Sequence, residues 1–270
     1  MKASFTIFQL SAVILSITAS SLIISSCSNI KKAGEQEKLK KKRKIKAIRT
    51  FNYHVYKDAG KIEKGKSGGP FGERDTYSLF NKKGRKTEEY KYKNDGSLWY
   101  RLTYIYDKNG NNIKENRYDE EGDLRMVIEL KYGKNGNKTK EYRYKPDGNP
   151  SQVYKGVFKY DKNGNNTEEC WYFASDSLFI KLYYLYDKED RNIEKEWYNY
   201  EGGLITKKSY EYDDKGCITT ETGYNPKGEI EYVATYNYDF DKNGNWIRKL
   251  MFVDNIPKFV IERDIVYYDK

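Results

Sequence analysis

The sequence predicts an all-β fold: an elongated, curved or coiled antiparallel β-meander of tandem hairpin repeats, mostly one layer thick, with a period of about 26 residues. Tyrosine-rich stretches alternate with turns of the form D-x-x-G-N in seven copies between residues 78 and 256. The intervals between successive turn centres are all even, which favours a regular pleat. A mean hydropathy of −0.97 and 28 Tyr indicate a thin, tyrosine-covered sheet rather than a thick aliphatic core.

Residues 1–26 are typical of a secretion signal, with Lys2, an apolar stretch and then small residues. The stretch ends in Ile24-Ser25-Ser26-Cys27, which resembles the lipobox of bacterial lipoproteins. That resemblance implies cleavage before Cys27, a diacylglycerol and palmitate-type lipid on its sulfur, and a lipid-anchored position in the bacterial cell envelope. An uncleaved membrane anchor is the alternative, because about 20 apolar residues are enough to cross a bilayer. Both interpretations place the rest of the chain outside the cytoplasm.

Residues 27–46 are predicted to form a lipidated basic tether. Residues 31–50 carry ten Lys or Arg against two Glu, so most of the net charge of +10 lies in this segment and the remaining chain is nearly neutral. The tether either lies on anionic headgroups or serves as a solvated spacer. A compartment outside the cytoplasm excludes nucleic acid as a partner.

The ends of the repeat array are predicted to be atypical, because an open sheet has edges that need protection. Residues 47–77 are assigned to an N-terminal cap, with a strand over residues 47–56, a turn at 57–60 and an irregular loop at 67–72. Residues 257–270 are assigned to a C-terminal edge strand.

The repeats of residues 78–256 are joined by turns whose conformation follows from their residue types. In Asp107-Lys108-Asn109-Gly110-Asn111, Asp accepts backbone N–H bonds and Gly suits the left-handed conformation, which predicts a type I turn with a G1 bulge. The even intervals predict that even-numbered residues share one face throughout. Two aromatic columns are therefore expected on a common side: Phe80, Tyr106, Tyr132, Tyr160, Tyr186, Tyr212 and Phe240, and Tyr92, Tyr118, Tyr144, Tyr172, Tyr198, Tyr224 and Phe252.

The motif Y-x-Y-D-x-x-G-N, present at residues 104–111 and, without the Asn, at 210–216, resembles the YD repeat of Rhs proteins and the hairpin repeats of related bacterial lipoproteins. The resemblance covers about residues 78–256. It implies hairpins that spiral, although seven units are too few to enclose a protein cargo.

No catalytic residue, metal site or cofactor is predicted, and we expect a protein that is not an enzyme. His54 is the single histidine, which excludes a histidine cluster, and the Gly of D-K-N-G-N falls at the wrong position for a calcium-binding EF-hand. Cys170 and Cys217 are expected to be free thiols, because four strands of a flat meander would separate them by about 19 Å.

The candidate binding residues are Arg117, Arg143, Trp171 and Trp197. They belong to an odd-numbered column that varies from repeat to repeat: Lys91, Arg117, Arg143, Trp171, Trp197, Gly223 and Met251. Two indoles beside two arginines on an open sheet suit a sugar ring or a protein partner. Ordinary covering of the sheet is the alternative.

These observations favour a membrane-anchored cell-envelope lipoprotein whose repeat array is a non-enzymatic binding or structural module. Its partners are then membrane lipid through Cys27 and a glycan or protein on the sheet. An immunity or antitoxin-like protein that binds a toxin is the alternative from another functional class.

Overall fold

The computed structural model describes residues 43–269, and Cys27 with the leader and most of the tether lies outside them. The described chain is antiparallel β-structure with one short 3₁₀ turn at Pro70–Gly72. The strands are β1 (Ile45–Asp58), β2 (Lys61–Ser67), β3 (Thr76–Phe80), β4 (Lys86–Tyr92), β5 (Leu98–Tyr106), β6 (Asn112–Tyr118), β7 (Leu124–Tyr132), β8 (Lys138–Tyr144), β9 (Pro150–Tyr160), β10 (Asn166–Phe173), β11 (Leu178–Tyr186), β12 (Asn192–Asn199), β13 (Leu204–Tyr212), β14 (Ile218–Tyr224), β15 (Ile230–Phe240), β16 (Trp246–Val253) and β17 (Ile256–Tyr267).

The turns have the chemistry that the sequence predicts. In the turn between β5 and β6, the Gly110 N–H donates to the Asp107 carbonyl at 3.1 Å and the Asn111 N–H donates to Asp107 Oδ1 at 2.8 Å. Gly110 has a φ of 96°, and Asp190, which replaces Gly in the fifth repeat, has a φ of 59°. The last reversal differs slightly, because Asp254 and Asn255 have positive φ instead of the predicted centre at Ile256.

The predicted open meander is wrong, because the sheet closes into a barrel of 16 strands. β1 pairs with β17 along Ile45–His54 and with β3 along Ala47–Thr50, so the segment expected to cap one edge joins both edges instead. The remaining strand, β2, pairs only with the far part of β1 and forms a hairpin beyond the ring. Closure satisfies the backbone groups that an open sheet would leave exposed at its two edges.

The predicted common face of even-numbered residues is also wrong. In the repeats, the register shifts by an odd number of residues beside each turn, so that Ile105 opposes Lys114 although Tyr106 opposes Asn112. A bulge residue on the returning strand reverses the relation between residue number and face. The long strands of the repeats therefore turn their even residues inward and the short strands their odd residues. Tyr106 and Tyr132 point into the barrel, and Tyr118 points out.

The outer surface carries many charged side chains, beside exposed apolar ones such as Ile105 and Leu185. Cross-strand ion pairs lie on it, such as Lys159 with Glu168 at 3.0 Å, Arg101 with Glu88 at 3.7 Å, and Lys207 with Glu194. Among residues 43–269, there is no helix with the length and apolar character needed to cross a bilayer.

The barrel has two different ends. Both ends of the described chain lie at one, which we call the termini end, because Ile45 pairs with Tyr267 beside the first turn of each repeat. The second turn of each repeat lies at the opposite end. There the segment Gly68–Asp75, which we call the plug, connects β2 to β3 and crosses the mouth of the barrel, where Phe71 meets Tyr232. This end is the plug end.

Candidate binding site in the barrel lumen

The structure brings three of the four candidate residues together, but inside the barrel. The Arg143 guanidinium lies over the Trp171 ring at 4.4 Å from its centroid. Trp171 is 1% exposed and shares an apolar cluster with Trp197, which is 4% exposed. The two indoles and Arg143 thus form part of the inner wall, and the open platform expected from the sequence does not exist in this form.

Gly156 makes room for this arrangement. It lies on β9 directly opposite Trp171, and a Cβ atom at residue 156 would come within 2.9 Å of the indole Cζ3. The ring therefore occupies the space that a side chain would take. A glycine in a strand is often such a sign of close approach.

Arg117, the fourth candidate, lies two strands from Arg143 and contacts other aromatic rings. Its guanidinium is 4.0 Å from the Tyr100 ring centroid and 5.9 Å from that of Trp99. An open pocket of about 310 Å³ lies beside it at the plug end, lined also by Glu121 and Met126. Arg117 is therefore separate from the pair of tryptophans.

A row of carboxylates that the turn and strand pattern did not predict lines one side of the lumen. Four side chains at equivalent inward positions of β4, β6, β8 and β10 form what we call the acidic wall: Glu89, Glu115, Glu141 and Glu169. The same position carries Lys195, Glu221 and Lys249 in the later repeats. The signal in the sequence is this column of charged residues at one position of the repeat, and the bulge beside each turn is what places the column on the inward face.

The members of the acidic wall have different partners. Glu141, 1% exposed, pairs with Lys138 at 3.0 Å and Arg143 at 2.9 Å, and these cations hold the pKa of its carboxyl below its usual range although burial opposes them. Glu169 accepts hydrogen bonds from Trp171 Nε1 at 3.2 Å and from the Tyr184 hydroxyl at 2.9 Å. The negative charges of Glu141 and Glu169 are thus both stabilised by partners within the barrel.

The carboxylate of Glu115 has fewer stabilising partners than those of Glu141 and Glu169. Its one hydrogen bond within residues 43–269 comes from Asn112 Nδ2 at 2.5 Å. Burial first, and then the negative charge of Glu141, raise the pKa of Glu115 to about 7, against the opposing effects of Lys138 and Asn112. At neutral pH this carboxyl therefore exists in both protonation states.

Cations line the opposite side of the lumen. Lys195, Lys208, Lys249 and Arg263 on β12, β13, β16 and β17 face inward, and we call them the basic wall. Lys208 pairs with Glu221 at 2.7 Å. Among the described residues, the other three have no carboxylate within ion-pair distance and contact aromatic rings instead. Burial lowers the pKa of Lys195 to about 8.

Tyrosines add polar groups to the same interior. Burial raises the pKa of the Tyr104, Tyr184, Tyr210 and Tyr236 hydroxyls, with neighbouring Glu carboxylates adding to the effect. Each of these side chains is only partly enclosed, although it lies inside the ring. The lumen is thus lined by charges, hydroxyls and rings, a combination suited to binding a polar or amphipathic molecule.

The remaining predicted features fall outside this site. His54 packs against Phe259 with a centroid distance of 4.6 Å. Cys170 is a buried free thiol, as expected, and burial raises its pKa to about 11. Cys217 is also buried, at 1% exposure. Within residues 43–269, no group of three or more His, Cys, Asp or Glu side chains is placed to hold a metal ion.

Two porin-like proteins are among the solved structures that this chain resembles. A porin-like protein from Bacteroides uniformis aligns with a TM-score of 0.52 at 12% identity, over 82% of this chain and 96% of its own. One from Bacteroides vulgatus aligns with a TM-score of 0.40 at 11% identity, over 84% of this chain and 100% of its own. No family model matches the sequence, and no curated protein matches it.

The first of these alignments shows the fold, an antiparallel barrel, and corrects the resemblance to YD hairpin repeats. A closed ring of 16 strands is not an open hairpin array, even though the turn motif is shared. Turn sequences report local geometry, whereas closure depends on β1 and β17, which lie outside the motif.

Proposed function

We propose that the protein is a tethered, non-enzymatic binding module of the bacterial cell envelope, which takes a small ligand into the lumen of its barrel. One observation carries the proposal: Lys195, Lys249 and Arg263 point into a closed barrel without an ion pair in the described residues. Burying a charge costs free energy unless it is compensated, and a ligand supplies the missing partner.

The anchoring part of the proposal joins the lipobox resemblance at Cys27 to the geometry of the barrel. Residue 43 lies at the termini end, so a lipid at Cys27 would hold that end toward the membrane and leave the plug end facing away. Ion pairs such as Lys159 with Glu168 favour water around the barrel. A cation on a lipid-facing strand costs about 2–4 kcal/mol near the middle of a bilayer.

Anchoring is tested by replacing Cys27 with Ser in cells fed an alkyne-bearing palmitate. We expect the native chain to carry the label and to sediment with membranes, and the C27S variant to lose both properties. A native chain without label would contradict the lipid anchor, and labelled C27S would place the lipid elsewhere.

Ligand binding is tested by native mass spectrometry on the full-length protein extracted from its own membranes. We expect an added mass that dissociates on gentle collisional activation and is missing after unfolding and refolding in clean buffer. The refolded sample is the control for covalent additions such as the lipid. Identical native and refolded spectra would contradict a ligand in the lumen.

A further inference from the structure

Two cations on neighbouring strands are the least compensated charges of the lumen. Lys249 opposes Ile261 across β16 and β17, which places Arg263 two residues farther along the same inner face. Neither side chain has a carboxylate within ion-pair distance in the described structure, and Arg263 Nε is buried without a hydrogen-bond partner. The two cations can therefore bind an anion, which the described residues of the barrel do not provide.

Aromatic rings hold the two cations in place. The Arg263 guanidinium lies 3.4 Å from the centroid of Trp246, and Lys249 Nζ lies 5.3 Å from that of Tyr236 and 5.7 Å from that of Trp246. Ring faces attract cations but leave N–H groups free to donate to an anion, in the plane of the guanidinium or on the side of the ammonium that faces away from the ring. The arrangement therefore orients the N–H donors of both cations without neutralising their positive charges.

The pKa shifts of the two cations also indicate that negative charge is lacking around them. Burial lowers the pKa of Lys249 and lowers that of Arg263 to about 10, while the carboxylate of Glu73 acts in the opposite direction on both. Arg263 further lowers the pKa of Lys249 by repulsion. The surroundings thus disfavour the two positive charges, and an added negative charge would favour them.

Glu73 belongs to the plug, which covers this part of the lumen. The plug is fastened to β1, where the Gly68 N–H donates to the Asn52 carbonyl at 2.8 Å and Asn52 Nδ2 donates to the Arg74 carbonyl at 2.9 Å. Across the mouth, the Phe71 ring lies 5.6 Å from Tyr232, and Phe71 has a φ of 54°. A non-glycine residue in the left-handed region stores strain, so this end of the plug is held by its ring contacts.

From these observations we propose that Lys249 and Arg263 bind the acidic group of a small amphipathic anion, a carboxylate or a phosphate on an apolar body, and that Glu73 of the plug partly replaces this anion in its absence. The proposal rests on the lumen being a binding site and names the ligand class. An apolar body has a matching surface beside the cations, since Trp246, Ile261, Tyr238 and Phe240 form one cluster.

The test uses calorimetric titration of the full-length protein with octanoate, octyl phosphate and the neutral octyl glucoside. The double variant Lys249→Met/Arg263→Met removes both cations and keeps apolar volume. Its matched control, Lys207→Met/Arg248→Met, removes one Lys and one Arg from the outer face. We expect the inner variant to bind at least one of the two anions about tenfold or more weakly, the control to stay within about twofold, and octyl glucoside to be indifferent to both.

A third variant separates loss of binding from loss of folding. Glu73→Gln keeps the plug and removes the competing carboxylate, so it should bind the same anion at least about twofold more tightly than the native chain. Native-like urea unfolding of the inner variant confirms that its sites were tested in a folded barrel; if it does not fold, the result for Glu73→Gln decides.

Two outcomes overturn the anion site. One is an anion affinity that is the same in the native chain, the inner variant and Glu73→Gln, and the other is a native chain that binds neither anion. In both cases, the proposal that the lumen binds a ligand is decided separately, by native mass spectrometry of the protein extracted from its own membranes.

Discussion

At the scale of single residues, a few side chains show how closely the interior is fitted. Gly156→Ala is expected to destabilise the barrel by about 1–3 kcal/mol, because the new methyl group would come within 2.9 Å of the Trp171 ring and 3.2 Å of the Phe158 ring. Trp171 is almost fully enclosed and cannot move aside. Urea unfolding of the variant and the native chain measures the difference.

Gly65→Ala is the matched control, since a Cβ at residue 65 meets its nearest atom at 3.4 Å and has no positive φ to strain. Its free energy of unfolding should stay within about 0.5 kcal/mol of the native value. Equal effects of the two substitutions would mean that Trp171 is not packed on Gly156.

Glu115 gives the barrel a pH dependence of defined sign. Its pKa is raised from 4.5 to about 7, so the folded state binds more protons than the unfolded state between these values. This residue therefore lowers stability as pH rises from about 4.5 to 7, by up to about 3 kcal/mol, and the loss persists above pH 7.

Glu115→Gln should remove this loss, because a neutral amide needs no proton to be buried. We expect the variant to gain stability relative to the native chain as pH rises from about 5 to 8, as measured by urea unfolding at each pH. Glu129→Gln, on the outer face of the neighbouring strand β7, is the control and should show no such trend. A flat difference for Glu115→Gln would place that carboxyl in water.

At the scale of elements, inward tyrosines connect one hairpin to the next at the termini end. The hydroxyls of Tyr106, Tyr132, Tyr186 and Tyr212 donate to the backbone carbonyl of the residue 20 positions earlier, at 2.6–2.9 Å. Each bond crosses from the end of a long strand to the start of the short strand beside it. The aromatic column is thus a set of polar clasps as well as a packed ladder.

Tyr132→Phe tests one clasp. The change keeps the ring but leaves the Asn112 carbonyl without its 2.8 Å partner, which should cost about 1–2 kcal/mol of unfolding free energy. Tyr118→Phe in the same hairpin is the control, because Tyr118 faces outward and its hydroxyl makes no hydrogen bond within residues 43–269. If the two variants unfold alike in urea, the clasp contributes nothing measurable.

The elements also show what the sequence could and could not predict. Asp107 and Gly110 determine their turn by local chemistry, so the positions of turns and strands were accessible. The face on which each side chain lies could not be predicted, because it depends on a bulge residue at each turn. The spacing of the turns does not reveal such a bulge, as the one beside Ile105 and Tyr106 shows. The column of Arg143 and Trp171 was therefore singled out for its variation but assigned to an open face instead of the lumen.

At the scale of the whole molecule, closure divides the surface into two environments. The inward side chains share a confined space with those across the barrel, while most outward ones, such as Lys159, meet water. This explains why Lys195 has a lowered pKa, whereas Lys159 on the outer face forms a solvated ion pair with Glu168. An open sheet of the same repeats would give all these lysines similar surroundings.

Closure itself is tested by a cross-link between the two terminal strands. Phe51 on β1 and Glu262 on β17 are directly opposite and face outward, so cysteines there have Cα atoms about 4.5–5.5 Å apart, within disulfide range. In an open meander, the same strands would be about 70 Å apart at 4.8 Å per strand. Mild oxidation of Phe51→Cys/Glu262→Cys should therefore give an intramolecular disulfide that peptide mapping detects, and which raises the unfolding free energy by about 5 kcal/mol through loop closure. Phe51→Cys/Lys159→Cys, with the second cysteine on β9 across the barrel, should stay reduced as a monomer. Equal reactivity of the two pairs would show that β1 and β17 do not meet.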